Sequence, residues 1–230
     1  MTPIVLVPGL LCSAEVFAPQ IMALWPYGPI TVASTLDGES IPEMAAAILA
    51  SAPPRFALVG ISMGGHISLE IVRQAPERVL KLALLDSSAR ADTADQVAKR
   101  LAMIAFAQNG KFAELTEQLT RLILHPAHHD DVALCEIILR MCRTVGIEGF
   151  VRQQKAIIER ADPKPHLAAI SVPTVVLVGD KDALTPPESA TELAAAIPGA
   201  RLVVVPECGH ASTLEQPGAV NHALREWISA

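Results

Sequence analysis

The fold of this chain is decided by the stretch Phe56-Ala57-Leu58-Val59-Gly60-Ile61-Ser62-Met63-Gly64-Gly65, in which an apolar run passes into a helical pattern. G-x-S-x-G between a strand and a helix predicts a sharp turn that lifts the serine oxygen above the end of the strand. Only residues without a Cβ tolerate the crowding expected at positions 60 and 64. A glycine-rich turn with an incidental serine is the other interpretation, so the rest of the chain must distinguish the two.

Short aliphatic runs like the one before Ser62 recur along the sequence, and helical stretches separate most of them. The runs lack the alternation of a half-solvated sheet, which indicates strands buried on both faces. Such alternation of strands and helices predicts an α/β three-layer sandwich around a mostly parallel, six-stranded sheet. The predicted strands are 4–7, 30–33, 56–59, 80–85, 172–178 and 202–205, and the predicted flanking helices are 41–50, 64–74, 188–196 and 219–228.

The interval between the fourth and fifth predicted strands is far too long for a simple connection. It contains apolar residues at three- and four-residue spacing, which is typical of amphipathic helices. The helices predicted there are 93–108, 111–124, 130–143 and 146–159. We therefore expect a helical cap over residues 89–168, inserted after the fourth strand into a core formed by residues 1–88 and 169–230.

A serine hydroxyl is a weak nucleophile at neutral pH and needs a base. Of the seven histidines, His210 directly follows the last predicted strand, where a loop above the sheet would begin. His66 is expected on the helix after the serine, pointing away from it. The cluster of His125, His128 and His129 beside Asp130 and Asp131 leaves two interpretations open, a metal site or a helix start capped by aspartate, and we favour the second.

The base in turn needs a carboxylate that fixes its tautomer and stabilises its cation. Three aspartates compete for this role. Asp180 follows the fifth predicted strand at once, and Asp182 lies further into the same loop. Asp86, at the end of the fourth strand, suits a structural role as an acceptor for backbone amides of neighbouring loops. The residues alone favour Asp182 without excluding Asp180.

Together these segments resemble the α/β-hydrolase fold family over nearly the whole chain. The segment Gly60–Gly65 is similar to the family's nucleophile turn, and 179–186 is similar to its acid loop, whose fourth residue is here Asp182. Cys208-Gly209-His210, followed by 214–217, resembles the histidine segment. The resemblance implies a catalytic triad of Ser62, Asp182 and His210, in the family's chain order. It also implies the strand order 2-1-3-4-5-6.

The resemblance further implies an oxyanion hole made by the backbone amides of Met63 and Leu10, with Leu11 as the alternative to Leu10. The loop reads Val7-Pro8-Gly9-Leu10-Leu11-Cys12, so proline stands where the family commonly has histidine. The implied function is hydrolysis of a small carboxylic ester, thioester or lactone through an acyl-serine intermediate, without cofactor or metal. A carbon–carbon-bond hydrolase or lyase with the same triad, and a non-catalytic ligand receptor, are the alternatives.

The composition and net charge of the chain limit the classes of partner that it is expected to bind. A net charge of −6 over 230 residues offers no basic surface for nucleic acid. The stretch 16–36 contains no charged residue, but we expect its prolines to break any helix there, so no membrane span is predicted. Without a leader the expected location is cytoplasmic. The oligomeric state stays open. Cys12 and Cys208 are expected to flank the site as pocket-lining thiols, with a disulfide as the alternative.

Overall fold

The computed structural model describes residues 1–230, and a six-stranded sheet runs through its centre. All neighbouring strands are parallel, and their order is β2-β1-β3-β4-β5-β6. The predicted fold class and strand order are therefore confirmed. The strands are β1 (Ile4–Val7), β2 (Ile30–Val32), β3 (Phe56–Ile61), β4 (Val79–Leu85), β5 (Thr174–Gly179) and β6 (Arg201–Val205).

Helices cover both faces of the sheet. They are α1 (Ala18–Leu24), α2 (Ile41–Ser51), α3 (Met63–Gln74), α4 (Ala94–Phe106), α5 (Phe112–Ile123), α6 (Val132–Ile158), α7 (Lys164–Leu167), α8 (Pro187–Ala196), α9 (Ser212–Glu215) and α10 (Pro217–Ser229). Successive residues of a strand point to opposite faces. Ile4 and Leu6 accordingly belong to the apolar core shared with α1 and α10, whereas Val5 and Val7 belong to the core shared with α2, α3 and α8.

One expectation about the N-terminal region is wrong. The prolines in 16–36 do not prevent a helix, because α1 forms with Pro19 in its first turn. Proline is tolerated there since the first N–H groups of a helix have no intrahelical acceptor to lose. The helix is seven residues long. None of the helices combines the length and the apolarity needed to span a bilayer.

Three long helices, α4, α5 and α6, and the short α7 occupy the interval between β4 and β5. Gly110, with φ of 79°, interrupts the helical path between α4 and α5. Gly146, with φ of 69° and ψ of 176°, breaks α6 into two helical segments. The separate helices predicted for 130–143 and 146–159 therefore correspond to the two halves of α6.

Candidate active site

Ser62 lies between β3 and α3 in a strained backbone conformation, with φ of 54° and ψ of −119°. Its N–H donates to the carbonyl oxygen of Leu85 at 2.9 Å. Its own carbonyl oxygen accepts from the hydroxyl of Ser87 at 3.0 Å. Backbone strain of this kind costs on the order of 1–3 kcal/mol and persists only where the surroundings enforce it. Leu85 at the end of β4 and Ser87 shortly after it thus hold the backbone of Ser62 in place.

The glycines around Ser62 are required by close packing, as predicted for positions 60 and 64. A Cβ on Gly64 would lie 2.0 Å from the carbonyl oxygen of Val7, and one on Gly60 would lie 2.3 Å from the carbonyl oxygen of Gly64. Both positions therefore exclude a side chain. The start of α3 can approach β1 and β3 closely only because these two residues are glycine.

The structure brings Ser62, His210 and Asp182 together. The Nε2 atom of His210 lies 2.8 Å from the Oγ atom of Ser62. The Nδ1 atom of the same imidazole lies 2.8 Å from Oδ2 of Asp182. A carboxylate can only accept, so Nδ1 carries the proton of the neutral ring and Nε2 is left to accept from the serine hydroxyl. The chain thus delivers a hydroxyl, a base and an anion in one hydrogen-bonded line.

Asp182 and Asp180 have different partners. Oδ1 of Asp182 accepts from the N–H groups of Leu184 and Thr185 at 2.8 Å and 2.9 Å. Its Oδ2 accepts from the hydroxyl of Thr185 at 2.6 Å. Asp180 instead accepts from the N–H of Cys208 at 3.1 Å, which ties together the loops after β5 and β6. Of the two aspartates left open by the sequence, only Asp182 contacts the imidazole.

Asp86 has the structural role that its position predicted. It is fully buried and accepts from the N–H of Gly179 at 3.1 Å and from the hydroxyl of Ser212. Burial, together with the charge of nearby Asp182, raises the pKa of Asp86 to about 8. Asp86 therefore joins the ends of β4 and β5 to α9 beneath the site without contacting His210.

Opposing effects set the protonation of the His210–Asp182 pair. Burial alone would raise the pKa of Asp182, but the charge of His210 and the hydrogen bonds from Thr185 outweigh it, so that pKa is lowered. Burial alone would lower the pKa of His210, but the charge of Asp182 and its hydrogen bond outweigh it, so that pKa is raised. Asp182 is thus ionised at neutral pH, and His210 is a stronger base than an ordinary histidine.

The two backbone amides that the resemblance implied for an oxyanion hole belong to Met63 and Leu10. Met63 is the first residue of α3, so its N–H has no acceptor within the helix. Leu10 lies in a turn closed by a hydrogen bond from Cys12 to Gly9 at 3.2 Å, and its N–H has no acceptor in the protein. The N–H of Leu11 donates to Oε1 of Gln153 at 3.0 Å. Of the two candidates in this loop, Leu10 alone has a free donor.

A buried glutamate that sequence reasoning missed supports the histidine loop. Oε1 of Glu215 accepts from the N–H groups of Gly209 and Ala211 at 2.9 Å and 3.3 Å. Its Oε2 accepts from the N–H of His125 at 2.7 Å and contacts Nδ1 of His128 at 2.9 Å. The segment 214–217 belonged to the resemblance, but no residue pattern indicated these bonds. Glu215 therefore connects the loop of His210 to the connection after α5.

A cavity of about 90 Å³ lies beside Ser62 and His210. Its wall is mostly apolar. The titratable side chains in it are the imidazole of His210 and the thiols of Cys12 and Cys142. Six of its 16 lining residues come from α5 and α6. The lining residues are Leu10, Leu11, Cys12, Val16, Ile61, Ser62, Leu119, Thr120, Ile123, Ile138, Met141, Cys142, Leu184, His210, Ala211 and Leu214.

The cysteines correct part of the sequence interpretation. Cys12 lines the cavity as expected, but Cys208 does not, because its side chain is fully buried in the apolar core beneath the histidine loop. Cys142 of α6 takes the second place in the wall instead. All four cysteines are free thiols, so the disulfide alternative is wrong. Burial, with Cys142 nearby, raises the pKa of Cys12 to about 12.

The histidine cluster after α5 follows the favoured interpretation. Asp131 caps α6 by accepting from the N–H of Leu134 at 3.0 Å. His128 contacts Glu215, and His129 lies 3.2 Å from the carbonyl oxygen of Leu124. No group of three metal-ligating side chains converges there or elsewhere.

A parallel sheet that ends in a strained serine, with a histidine and an aspartate lined up behind it, is the arrangement that defines α/β hydrolases. Comparison with known proteins agrees. The model of the alpha/beta hydrolase family matches residues 4–223. The chain is 27% identical to pimeloyl-[acyl-carrier protein] methyl ester esterase from Neisseria meningitidis over 221 residues, which cover 91% of this chain and 86% of that protein.

Solved structures show the same fold. A thermophilic esterase from Thermogutta terrifontis, with malate bound, aligns with a TM-score of 0.90 and 26% identity over 100% of this chain and 90% of its own. The enol-lactonase from Burkholderia xenovorans aligns with a TM-score of 0.90 and 22% identity over 100% of this chain and 92% of its own. The chain belongs to the alpha/beta hydrolase family, as its sequence motifs indicated.

Proposed function

We propose that this chain hydrolyses small, uncharged carboxylic esters, with thioesters and lactones in the same class, through an acyl-Ser62 intermediate. The observation that carries the proposal is the line of hydrogen bonds from Ser62 to His210 at 2.8 Å and from His210 to Asp182 at 2.8 Å. It gives the serine a base and gives the base a fixed tautomer. The esterase relatives support the same class of substrate.

In the first half-reaction His210 accepts the proton of Ser62 while Oγ attacks the ester carbonyl carbon. Asp182 stabilises the imidazolium that forms. The negative charge that develops on the carbonyl oxygen is held by the N–H groups of Leu10 and Met63, and each such donor typically contributes about 3 kcal/mol. The tetrahedral intermediate then expels the alcohol, which takes the proton from His210. The product left on the enzyme is acyl-Ser62.

In the second half-reaction His210 accepts a proton from water, and the resulting hydroxide attacks the acyl carbon. Collapse of the second tetrahedral intermediate returns the proton to Ser62 and releases the carboxylic acid. The imidazole of His210 accepts or donates the proton in every step, so the proposed reaction needs neither a metal nor a cofactor.

The cavity supports a small substrate. At about 90 Å³ it is far smaller than the ~300–1,000 Å³ pockets that take drug-sized ligands. Its apolar wall offers no partner for a charged group, which would lose its hydration without compensation. We therefore assign the cavity to an uncharged group of two to four carbon atoms, and we assign residues 89–168 as the cap whose helices α5 and α6 limit its size.

The proposal is tested with p-nitrophenyl esters of increasing acyl length and with a small alkyl fluorophosphonate. We expect kcat/KM to be highest between acetyl and butyryl and to fall at least about tenfold at octanoyl, because the longer chain exceeds the cavity. Labelling of Ser62 by the fluorophosphonate should abolish turnover. Ester turnover without labelling at Ser62 would overturn the mechanism, and failure to turn over any ester would favour a non-catalytic receptor.

Two methionine variants distinguish an effect on the cavity from a general loss of stability. Met141 of α6 lines the cavity, whereas Met44 of α2 is buried on the opposite face of the sheet. Met141→Ala should move the optimum towards longer acyl groups. Met44→Ala should lower stability by a comparable ~2–5 kcal/mol and leave the preferred length unchanged. An unchanged optimum in Met141→Ala would show that the acyl group binds elsewhere.

A further inference from the structure

Gln153 joins the long helix α6 to two loops of the sheet. Its Oε1 accepts from the N–H of Leu11 at 3.0 Å. Its Nε2 donates to the hydroxyl of Thr35 at 3.1 Å and to the carbonyl oxygen of Thr35 at 3.3 Å. Gln153 is fully buried, and Thr35 and Leu11 are buried as well. The side chain thus bridges the loop after β1 and the loop after β2 in a place that water does not reach.

The bond to Leu11 acts on a strained turn. Leu11 has φ of 58°, in the left-handed region that a leucine rarely adopts. A buried N–H in such a turn needs an acceptor, or the peptide unit would rotate towards one. The acceptor here is not part of the loop, since it comes from a residue far along the chain. The conformation of residues 9–12 therefore depends on Gln153.

The same turn carries the N–H of Leu10. A Cβ placed on Gly9 would lie 3.1 Å from Cβ of Ser62, so the turn packs directly against the serine. Because Gln153 occupies the N–H of Leu11, the N–H of Leu10 is the one of these two neighbouring donors that is left to meet an oxyanion. A rotation of the peptide unit that joins Leu10 to Leu11 would disturb that donor as well.

We propose that Gln153 is a positioning residue of the oxyanion hole: it contacts no reacting atom, and it fixes the turn so that the Leu10 amide points at the developing negative charge. The inference rests on the proposed function, because it needs an oxyanion to form at Ser62. It assigns part of the hydrolytic rate to a cap residue, so the cap would contribute to the chemical step in addition to shaping the cavity.

The next residue provides a matched control. Gln154 is equally buried on the same helix, but its Oε1 accepts from Arg100 of α4 at 2.8 Å, so its bond lies within the cap. Gln153→Met and Gln154→Met each remove one buried amide at nearly constant volume. We expect kcat of Gln153→Met to fall about 10- to 100-fold with KM changed less than about threefold, since misplacing one donor weakens transition-state binding selectively. Gln154→Met should stay within about threefold of the wild type.

The decisive readout is inhibition by a small aryl trifluoromethyl ketone, which forms a tetrahedral oxyanion on the serine. Its affinity should fall in Gln153→Met by the same factor as kcat/KM and stay unchanged in Gln154→Met. Thr35→Val, which removes one acceptor of the Gln153 amide, should show a smaller loss of the same kind and serves if Gln153→Met does not fold.

The outcomes separate the two proposals. Absence of a ketone adduct on Ser62 in the wild type would contradict the proposed function itself. An adduct in the wild type, with equal kcat and equal ketone affinity in the two methionine variants, would overturn only the role of Gln153. A loss confined to KM would overturn it as well.

Discussion

The carboxyl edge of the sheet and the helices above it are held in place by different means. At the edge, most of the stabilising contacts are made by backbone atoms. Ser62 keeps its strained conformation through a hydrogen bond to the Leu85 carbonyl oxygen, and Gly64 lets α3 lie against Val7. The helices α4 to α6 reach the edge through one backbone bond, from the N–H of His210 to the carbonyl oxygen of Ile123 at 2.7 Å, and otherwise through side chains. Gln153 binds the loop after β1, and Glu215 binds the connection after α5.

This difference indicates which parts of the site tolerate substitution. A residue held by backbone geometry tolerates almost no substitution, because neighbouring chain segments leave no space for one. A helix attached through a few side chains and one backbone bond can alter its inner surface while those links remain. The proposed reacting groups are therefore fixed by the sheet, whereas α5 and α6 contribute Leu119, Ile138 and Met141 to the lining of the cavity.

The largest effect is expected at the edge. Ser62→Ala should lower ester turnover by about 10⁴- to 10⁶-fold, because no other group can form the acyl intermediate. The fold should persist, since the Ser62 hydroxyl bonds only to His210. Steady-state rates at matched circular dichroism test this. Turnover near the wild-type rate would show that the edge does not carry the reaction.

The two aspartates of the loop after β5 give the next largest contrast. Asp182→Asn should lower kcat by about 10³- to 10⁴-fold, because an amide no longer holds the imidazole in the required tautomer. Asp180→Asn should cost less than about tenfold, since its carboxylate accepts only from the N–H of Cys208. The ratio of the two kcat values is the measurement. The reverse ranking would reassign the acid to Asp180.

A pair of glycines compares the edge with the cap directly. Gly64→Ala should cost ~3 kcal/mol or more of unfolding free energy, because its Cβ would meet the Val7 carbonyl at 2.0 Å. Gly110→Ala in the turn between α4 and α5 meets no atom within 4 Å and suffers only from its φ of 79°, so about 1 kcal/mol is expected. Urea unfolding of both variants tests the comparison. Equal losses would show that the edge is no more tightly constrained than the cap.

The smallest effect is a pH dependence. Protonated His210 cannot accept the serine proton, and its pKa is raised above the ordinary value of 6.5. The kcat/KM should therefore fall about tenfold per pH unit below a midpoint that lies above 6.5. In Asp182→Asn the residual activity should show a lower midpoint, because the charge that raises this pKa is gone. A wild-type midpoint at or below 6.5 would contradict the electrostatic account.

The sequence predicted the elements that depend on local pattern. Buried parallel strands have a continuous apolar signature, and the turn around Ser62 follows from its glycines, so the parallel sheet and the positions of Ser62 and His210 were accessible. The strand order came from the resemblance. Asp182 was favoured modestly by its position in the loop and more firmly by the resemblance, and only the bond to His210 distinguished it from Asp180.

Other features depend on where side chains point after packing. Gln153 and Glu215 reach partners distant in the chain, and no periodicity predicts such contacts. Cys208 was placed in the pocket because its loop lies there, yet its side chain turned into the core, and Cys142 came from a helix whose orientation the sequence did not specify.

The most direct test of the central claim is to trap the acyl-enzyme. A small aryl dimethylcarbamate should transfer its carbamoyl group to the nucleophile. Because the carbamoyl-enzyme hydrolyses slowly, digestion and mass spectrometry can identify the modified residue. We expect one carbamoyl group per chain, on Ser62, with release of one equivalent of the phenol and matching loss of ester turnover. Modification of another residue, or loss of turnover without modification at Ser62, would contradict the account.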